Sequence, residues 1–177
     1  PGIDATTGSL GQGLSIACGI ALGSKLAHMD RRTFCITGDG ESAEGQIWEA
    51  AQLAAHYQLD SLIAFLDWNK MQIDGSNDQV MALGDPVAKY AAFGWNACRV
   101  KGDDVIAIQQ AIQKKLDYPN GKPSMIVLDT VKGAGVTCVA EMDNNHCIGF
   151  SKALAEKAMA ELLQEAVQLR VEVPEWN

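Results

Sequence analysis

Hydrophobic and polar residues follow one another along this chain in two recurring patterns. Short, continuously apolar runs bounded by polar residues or glycine are typical of buried strands, and longer amphipathic stretches are typical of helices. The predicted strands are residues 33–37, 62–67, 95–100 and 124–130, and the predicted helices are residues 10–28, 44–57, 85–93, 103–115 and 151–170. Because strands and helices alternate, the pattern predicts βαβ crossover units.

The strand pattern also predicts a fold class. Strands that are apolar throughout are buried on both faces, as in parallel sheets covered by helices. We therefore expect an α/β fold, with a doubly wound, mostly parallel sheet and helices on both faces, in a single domain over residues 1–177. Residues 69–85 and 133–149 show no clear period, so we expect long loops at the carboxyl edge of the sheet.

Polar residues stand where the first two predicted strands end. Asp39 follows the first strand within Gly38-Asp39-Gly40, and Asn69 follows the second. Because the carboxyl ends of neighbouring parallel strands meet at one edge, we expect these side chains to converge. A carboxylate and an amide oxygen suit a hard divalent cation such as Mg²⁺ or Ca²⁺, which commonly carries a phosphate. Alternatively, Asp39 caps the helix that starts near Glu44, and Asn69 forms a turn.

A glycine-rich segment precedes the first predicted helix. Residues 6–13 read Thr-Thr-Gly-Ser-Leu-Gly-Gln-Gly. Glycine lets the backbone approach a ligand closely, and the free amides at a helix N-terminus attract anions. This segment could therefore hold a diphosphate, although tight turn packing is an alternative explanation.

The charge balance argues against negatively charged partners. The chain has 22 acidic and 14 basic residues, a formal charge of −8. Nucleic acids and anionic membranes bind clustered Lys and Arg, so we expect neither as a partner. No apolar run approaches the roughly 20 residues that a membrane-spanning helix needs. Since the chain begins at Pro1 rather than Met, we expect a fragment or a processed product.

The cysteine pattern indicates the cellular compartment in which the protein works. There are five cysteines, an odd number, and none forms a Cys-x-x-Cys pair. Free thiols in a reducing cytoplasm explain this pattern best. We therefore expect a cytoplasmic protein.

In these motifs the chain resembles the thiamine diphosphate enzymes, and the transketolase family in particular. The cofactor motif of that superfamily is Gly-Asp-Gly followed about 25 to 30 residues later by Asn, and here Asn69 follows Asp39. The resemblance implies that the metal on the diphosphate is held by the Asp39 side chain, the Asn69 side chain and the main-chain oxygen of Met71. The implied cofactors are thiamine diphosphate and Mg²⁺, or Ca²⁺.

The glycine-rich segment matches a transketolase signature in which Ser9 replaces a proline. The resemblance implies that Gly8, Ser9 and Leu10 lie against the cofactor. It also places Gly38 and Gly40 among the cofactor-binding residues, with Gly40 against the diphosphate.

Two further residues match positions with catalytic roles in the family. Glu44 matches an acidic residue at the subunit interface that helps to couple paired active sites. His146 corresponds to a substrate-side histidine, although the Trp that normally precedes this histidine is absent here and the spacing after Asn144 and Asn145 differs. A histidine in this loop could polarise a sugar carbonyl or shuttle a proton.

The resemblance implies a function that depends on a partner. We expect this chain to lack the pyrimidine-binding domain of the family, which carries the activating glutamate, and the part of the family's domain before the glycine-rich signature. We therefore expect the diphosphate-binding subunit of a split transketolase. It would transfer a two-carbon ketol unit between sugar phosphates together with a pyrimidine-domain (C-terminal) subunit, in a homodimer or heterotetramer, and would be inactive alone.

Other functions remain open at this point. One is another thiamine diphosphate enzyme, such as a deoxyxylulose phosphate synthase or a 2-oxo acid dehydrogenase component. A second is a catalytically dead regulatory or binding subunit, which the altered segment around His146 would suit.

Overall fold

Parallel strands form the centre of the computed structural model, which describes residues 2–169. The strands are β1 (Thr33–Gly38), β2 (Leu62–Trp68), β3 (Met71–Gln72), β4 (Gly75–Ser76), β5 (Asn96–Lys101) and β6 (Ser124–Asp129). The helices are α1 (Gln12–Leu26), α2 (Gly45–His56), α3 (Asn77–Val80), α4 (Pro86–Ala92), α5 (Val105–Asp117), α6 (Thr137–Ala140) and α7 (Lys152–Leu169). Within residues 2–169, no helix is both long enough and apolar enough to cross a membrane.

The main sheet has the strand order β1-β2-β6-β5, and all of its neighbouring pairs are parallel. The crossovers β1–α2–β2 and β2–α4–β5 run in one direction across this sheet, and β5–α5–β6 runs back. Because such crossovers are right-handed in nearly all proteins, α2 and α4 lie on one face and α5 on the other. The predicted doubly wound α/β fold is confirmed.

The main hydrophobic core lies between the sheet and the helices α1, α2 and α4. Small residues of α1 and α2, such as Ala21 and Ala51, are fully buried and let these helices pack closely. Trp95, just before β5, is also buried, and its indole N–H donates to the carbonyl of Ala51 at 2.8 Å. The close packing of α1 and α2 and the hydrogen bond from Trp95 therefore hold these helices against the same face of the sheet.

Both predicted loops contain regular structure, which corrects the sequence interpretation. Residues 69–85 include the β3–β4 hairpin and the helix α3. This helix begins with a capping box, in which the Ser76 hydroxyl accepts from the Gln79 N–H and the Gln79 side chain accepts from the Ser76 N–H. Residues 133–149 include α6. Elements of two to four residues are too short to show a period in the sequence.

The predicted element boundaries differ from the observed ones by a few residues at most. Helix α5 starts two residues later than predicted, at Val105, because Asp104 rather than Asp103 is its cap and accepts the Ala107 N–H at 2.9 Å. Helix α1 starts at Gln12 because the residue before it, Gly11, has a left-handed backbone with φ 85°. The predicted end of the last helix, Arg170, lies outside the described residues.

The first strand is not buried on both faces as predicted. Its residues alternate, so that Cys35 is buried whereas Phe34 is 53% and Ile36 is 76% exposed. The physical reason is topological. Strand β1 is an edge strand, and α5 packs over β5 and β6, so it does not reach β1.

Two buried thiols in the core generate a pH prediction. Burial raises the pKa of Cys18 to about 12 and that of Cys35 to about 11, from an ordinary value of 9.0. The folded chain therefore keeps these protons at pH values where the unfolded chain loses them. Their contribution to stability is fully present below about pH 9 and is lost as the pH rises toward 11 to 12.

Urea denaturation at pH 8 and pH 10 measures this loss. We expect a Cys18→Ala variant to lose less of its free energy of unfolding between these pH values than the wild type does. A Cys147→Ala variant is the matched control, because Cys147 is exposed and free. If the free energy of unfolding has the same pH dependence in the wild type and in the Cys18→Ala variant, the buried thiol does not contribute to the loss of stability at high pH.

Candidate functional site

The Asp39 carboxylate joins the ends of the first two strands. Asp39 follows β1 directly and is only 2% exposed. One oxygen, Oδ2, accepts from the Lys70 backbone N–H at 2.6 Å and from the Asn77 side chain at 2.8 Å. Since Lys70 comes immediately after Asn69, the two strand ends meet at this carboxylate, as their sequence positions led us to expect.

The alternative interpretation, in which Asp39 caps the helix that starts near Glu44, is wrong, because Glu44 itself is the N-cap of α2. Asp39 instead caps a different, shorter helix. Its Oδ1 accepts from the Gly40 N–H at 2.8 Å at the start of a short 3₁₀ helix, Gly40–Ala43. The two roles use different oxygens, so they are compatible. The three N–H donors occupy three of the roughly four lone-pair positions of the carboxylate. One position is left for a further ligand.

The Asn69 side chain forms the predicted turn, and both ends of its amide group are hydrogen-bonded. Its Oδ1 accepts from the Met71 N–H at 3.0 Å, and its Nδ2 donates to the Asp67 carboxylate at 3.0 Å. An amide oxygen has two lone pairs, so Oδ1 retains one. The turn is tight because Lys70, between Asn69 and Met71, has a left-handed backbone with φ 67°.

The main-chain oxygen of Met71 is directed away from its hairpin partner. The Asn77 N–H donates to the Lys70 carbonyl at 2.9 Å, whereas the Lys70 N–H donates to Asp39, so Lys70 and Asn77 share one of the two bonds of a hydrogen-bonded pair. In an antiparallel ladder the next pair, Met71 with Ser76, is then a non-hydrogen-bonded pair. The Met71 carbonyl is therefore not used in the hairpin.

These oxygens fit a hard divalent cation. Buried carboxylates are normally paired with a cation or coordinated to a metal. Within residues 2–169, Asp39 forms no salt bridge with Lys or Arg, and no three His, Cys, Asp or Glu side chains group as metal ligands. A metal here would therefore use one carboxylate together with the amide oxygen of Asn69 and the carbonyl of Met71. Oxygen donors of this kind are those that Mg²⁺ and Ca²⁺ prefer.

The Lys70 ammonium group is directed to the neighbouring strand rather than to Asp39. It forms an ion pair with Asp129, at the end of β6, and donates to the Thr130 carbonyl at 3.1 Å. The Thr130 hydroxyl in turn donates to Asp67. This network ties the end of β2 to the end of β6 and leaves the buried Asp39 charge without a cationic side chain.

Glu41 is a structural residue of the site that the sequence interpretation missed. Its Oε1 accepts from the Gly11 N–H at 2.8 Å, and its Oε2 accepts from the Gly38 N–H at 2.9 Å. One carboxylate therefore links the segment before α1 to the turn after β1. It also occupies the Gly38 amide, so that amide is not available to a diphosphate in this arrangement. The position of Glu41, directly after Gly38-Asp39-Gly40, was the signal in the sequence.

Gly40 lies where the backbone and the hairpin approach each other. A Cβ atom at Gly40 would be 3.1 Å from the Cγ of Gln72, which is tighter than ordinary packing. The Gln72 amide nitrogen is buried and has no hydrogen-bond partner among the described residues. A side chain at position 40 would require the Gln72 side chain to shift, so glycine gives this turn its close approach to the hairpin.

The remaining residues of the glycine-rich segment are at the surface. Gly8, Ser9 and Leu10 are exposed. Glu44, also exposed, precedes α2, and a Cβ atom at Gly11 would be 3.1 Å from the Glu44 Cβ. The fold thus places this segment beside the Glu41–Glu44 turn. The cofactor and interface roles of these residues remain predictions.

His146 is exposed in the segment after α6. The neighbouring Asn144 side chain donates to the Ile73 carbonyl at 3.3 Å, and the Asn145 side chain donates to the Lys132 carbonyl at 3.1 Å. This segment therefore contacts the turn between β3 and β4, on the side of the molecule that carries Asp39. The catalytic role of His146 remains a prediction.

The Glu41 bridge yields a stability prediction. A Glu41→Ala variant leaves the Gly11 and Gly38 amides without their acceptor, so we expect its free energy of unfolding to fall by about 1–3 kcal/mol. The matched control is Glu49→Ala, because Glu49 is exposed on α2 and surface changes usually stay within about 0.5 kcal/mol. Chemical denaturation measures both. Equal stability of the two variants would show that the bridge contributes nothing.

Comparison with known proteins identifies the family of this chain. Residues 1–166 match the family described as "Transketolase, thiamine diphosphate binding domain". The chain is 44% identical over 164 residues to the 6-deoxy-6-sulfo-D-fructose transketolase subunit SqwG of Clostridium sp. (strain MSTE9), covering 93% of this chain and 59% of that protein. It is 40% identical over 137 residues to an apulose-4-phosphate transketolase subunit of Phocaeicola vulgatus, covering 77% of this chain and 48% of that protein.

The fold is also similar to solved structures. A crystal structure of transketolase from Pichia stipitis in complex with sedoheptulose-7-phosphate superposes with a TM-score of 0.71 at 29% identity, covering 96% of this chain and 30% of that one. The present chain thus spans about half the length of the two transketolase subunits. The family match, the relatives and the fold agree, and the chain belongs to the transketolase family as its thiamine diphosphate binding domain.

Proposed function

We propose that this chain is the diphosphate-binding part of a split transketolase, which moves a two-carbon ketol unit between sugar phosphates. The observation that carries the proposal is the buried Asp39 carboxylate, which accepts the Lys70 N–H at 2.6 Å and has no cationic partner within the described residues. A divalent cation on a diphosphate would supply the missing positive charge.

Each part of the site has a proposed task. Asp39, Asn69 and the Met71 carbonyl hold the cation, and Gly40 allows the diphosphate to approach the backbone. Gly8, Ser9 and Leu10 complete the proposed cofactor contacts, whereas the Gly38 amide is already bound to Glu41.

Bound thiamine diphosphate would supply the carbanion that attacks the sugar carbonyl. The contribution of this chain is to hold the cofactor and to present the exposed His146 to the sugar as a hydrogen-bond donor or proton carrier.

The proposal requires a partner subunit. Both relatives carry the word subunit in their names, which supports a partner subunit. We propose that the partner is a pyrimidine-domain subunit, in a homodimer or heterotetramer of the pair. Glu44 would lie at the interface, for which its exposure is a requirement.

The alternative enzymes are less well supported. Both relatives reported above and the superposed structure are transketolases, rather than deoxyxylulose phosphate synthases or 2-oxo acid dehydrogenases. A catalytically dead subunit would retain cofactor binding, so only an activity measurement separates it from the enzyme.

Metal-dependent cofactor binding tests the proposal. We expect the chain, mixed with its pyrimidine-domain subunit, to bind thiamine diphosphate only when Mg²⁺ is present, with a change in tryptophan fluorescence. An Asp39→Asn variant should bind at least about 100-fold more weakly, because it loses a charged metal ligand. The same mixture should transfer ketol units between sugar phosphates, whereas the chain alone should not.

Asp60→Asn is the matched control. Asp60 is exposed and lies just before β2, at the opposite edge of the sheet. This variant removes the same charge and should bind as the wild type does. Binding without Mg²⁺, or equal affinity of the two variants, contradicts the metal assignment. Metal-dependent binding without ketol transfer would identify a catalytically dead subunit.

A further inference from the structure

Asn77 is a buried polar residue of the site that no sequence motif pointed to. It is 3% exposed and begins helix α3, directly after the hairpin. Its Nδ2 donates to Asp39 Oδ2 at 2.8 Å, and its backbone N–H donates to the Lys70 carbonyl at 2.9 Å. Since Lys70 itself donates to the same carboxylate oxygen at 2.6 Å, these three residues form a closed triangle of hydrogen bonds.

The orientation of the Asn77 amide shows which of its contacts matters. An ionised carboxylate only accepts hydrogen bonds, so the amide must turn its nitrogen toward Asp39. Its Oδ1 is then buried with no hydrogen-bond partner among the described residues. Leaving a buried acceptor unsatisfied is unfavourable. The hydrogen bond to Asp39 therefore fixes the orientation of the amide, although this orientation leaves Oδ1 without a hydrogen bond.

We infer that Asn77 is a positioning residue for the metal, which fixes the Asp39 carboxylate so that its remaining lone pair points at the cation of the bound cofactor. The inference rests on the proposed function. Lys70 and Asn77 both bind Oδ2, and Gly40 binds Oδ1, so rotation of the carboxylate would break at least one hydrogen bond. Partners of metal-binding carboxylates orient them and tune metal affinity in this way.

A purely structural role is the competing explanation. In that case Asn77 would only attach the hairpin and α3 to the sheet. Any other substitution that destabilises this region would then weaken cation binding as much as a substitution of Asn77 does. The capping box of the same helix separates the two explanations. The Ser76 hydroxyl accepts the Gln79 N–H at 3.3 Å and, within residues 2–169, forms no hydrogen bond with Asp39.

The test is an Mg²⁺ titration of the chain in complex with its pyrimidine-domain subunit, with thiamine diphosphate at a saturating concentration, followed by tryptophan fluorescence. Thermal unfolding without Mg²⁺ and cofactor is the second readout. We expect Asn77→Leu, which has a similar size but no donor, to raise the half-saturating Mg²⁺ concentration about tenfold. Asn77→Thr retains a donor and should recover most of the affinity.

Ser76→Ala is the control for local stability. It should lower the unfolding temperature and leave the half-saturating Mg²⁺ concentration unchanged. If Asn77→Leu does not fold, Asn77→Val replaces it, because valine matches threonine in shape and lacks the hydroxyl. The Thr variant should then bind Mg²⁺ more tightly than the Val variant.

Two results overturn the inference while the proposed function stands. One is an Asn77→Leu or Asn77→Val variant that binds Mg²⁺ as the wild type does, and the other is an equal loss of Mg²⁺ affinity in Ser76→Ala. A wild-type complex that shows no metal-dependent binding at all contradicts the proposed function itself, and with it the role of Asn77.

Discussion

A single buried negative charge organises the carboxyl edge of this sheet. The Asp39 carboxylate is 2% exposed and accepts three N–H groups, from Gly40, Lys70 and Asn77. Hydrogen bonds partly offset the cost of burying the charge, but they do not neutralise it. The Lys70 side chain, whose backbone N–H donates to this carboxylate, forms an ion pair with Asp129 instead. The negative charge at this edge is therefore the feature on which the proposed cation site depends.

The rest of the site extends from this carboxylate in two directions. On one side, Glu41 joins the glycine-rich segment to the turn after β1 through the amides of Gly11 and Gly38. On the other side, the hairpin and α3 close over Asp39 and also receive Asn144 from the segment that carries His146. Segments far apart in sequence are thus held around one point, which is what a cofactor site at the end of parallel strands needs.

The sequence was sufficient to predict the elements and the convergence of β1 with β2, because long apolar runs and Gly-Asp-Gly are strong local signals. It was not sufficient for the hairpin, α3 or α6, which are too short to show a period. The contacts of Asn77 and Glu41 join segments 38 and 30 residues apart, and no local pattern encodes such distances. The exposure of Phe34 and Ile36 depends on which strand lies at the edge, which only the topology determines.

The most direct measurement is a crystal structure of the chain with its pyrimidine-domain subunit, thiamine diphosphate and Mg²⁺. We expect one cation at about 2.1 Å from an Asp39 oxygen, the Asn69 Oδ1 and the Met71 carbonyl, with the cofactor diphosphate completing its coordination. A cofactor bound elsewhere on the sheet, or a cation held without Asp39, would contradict it.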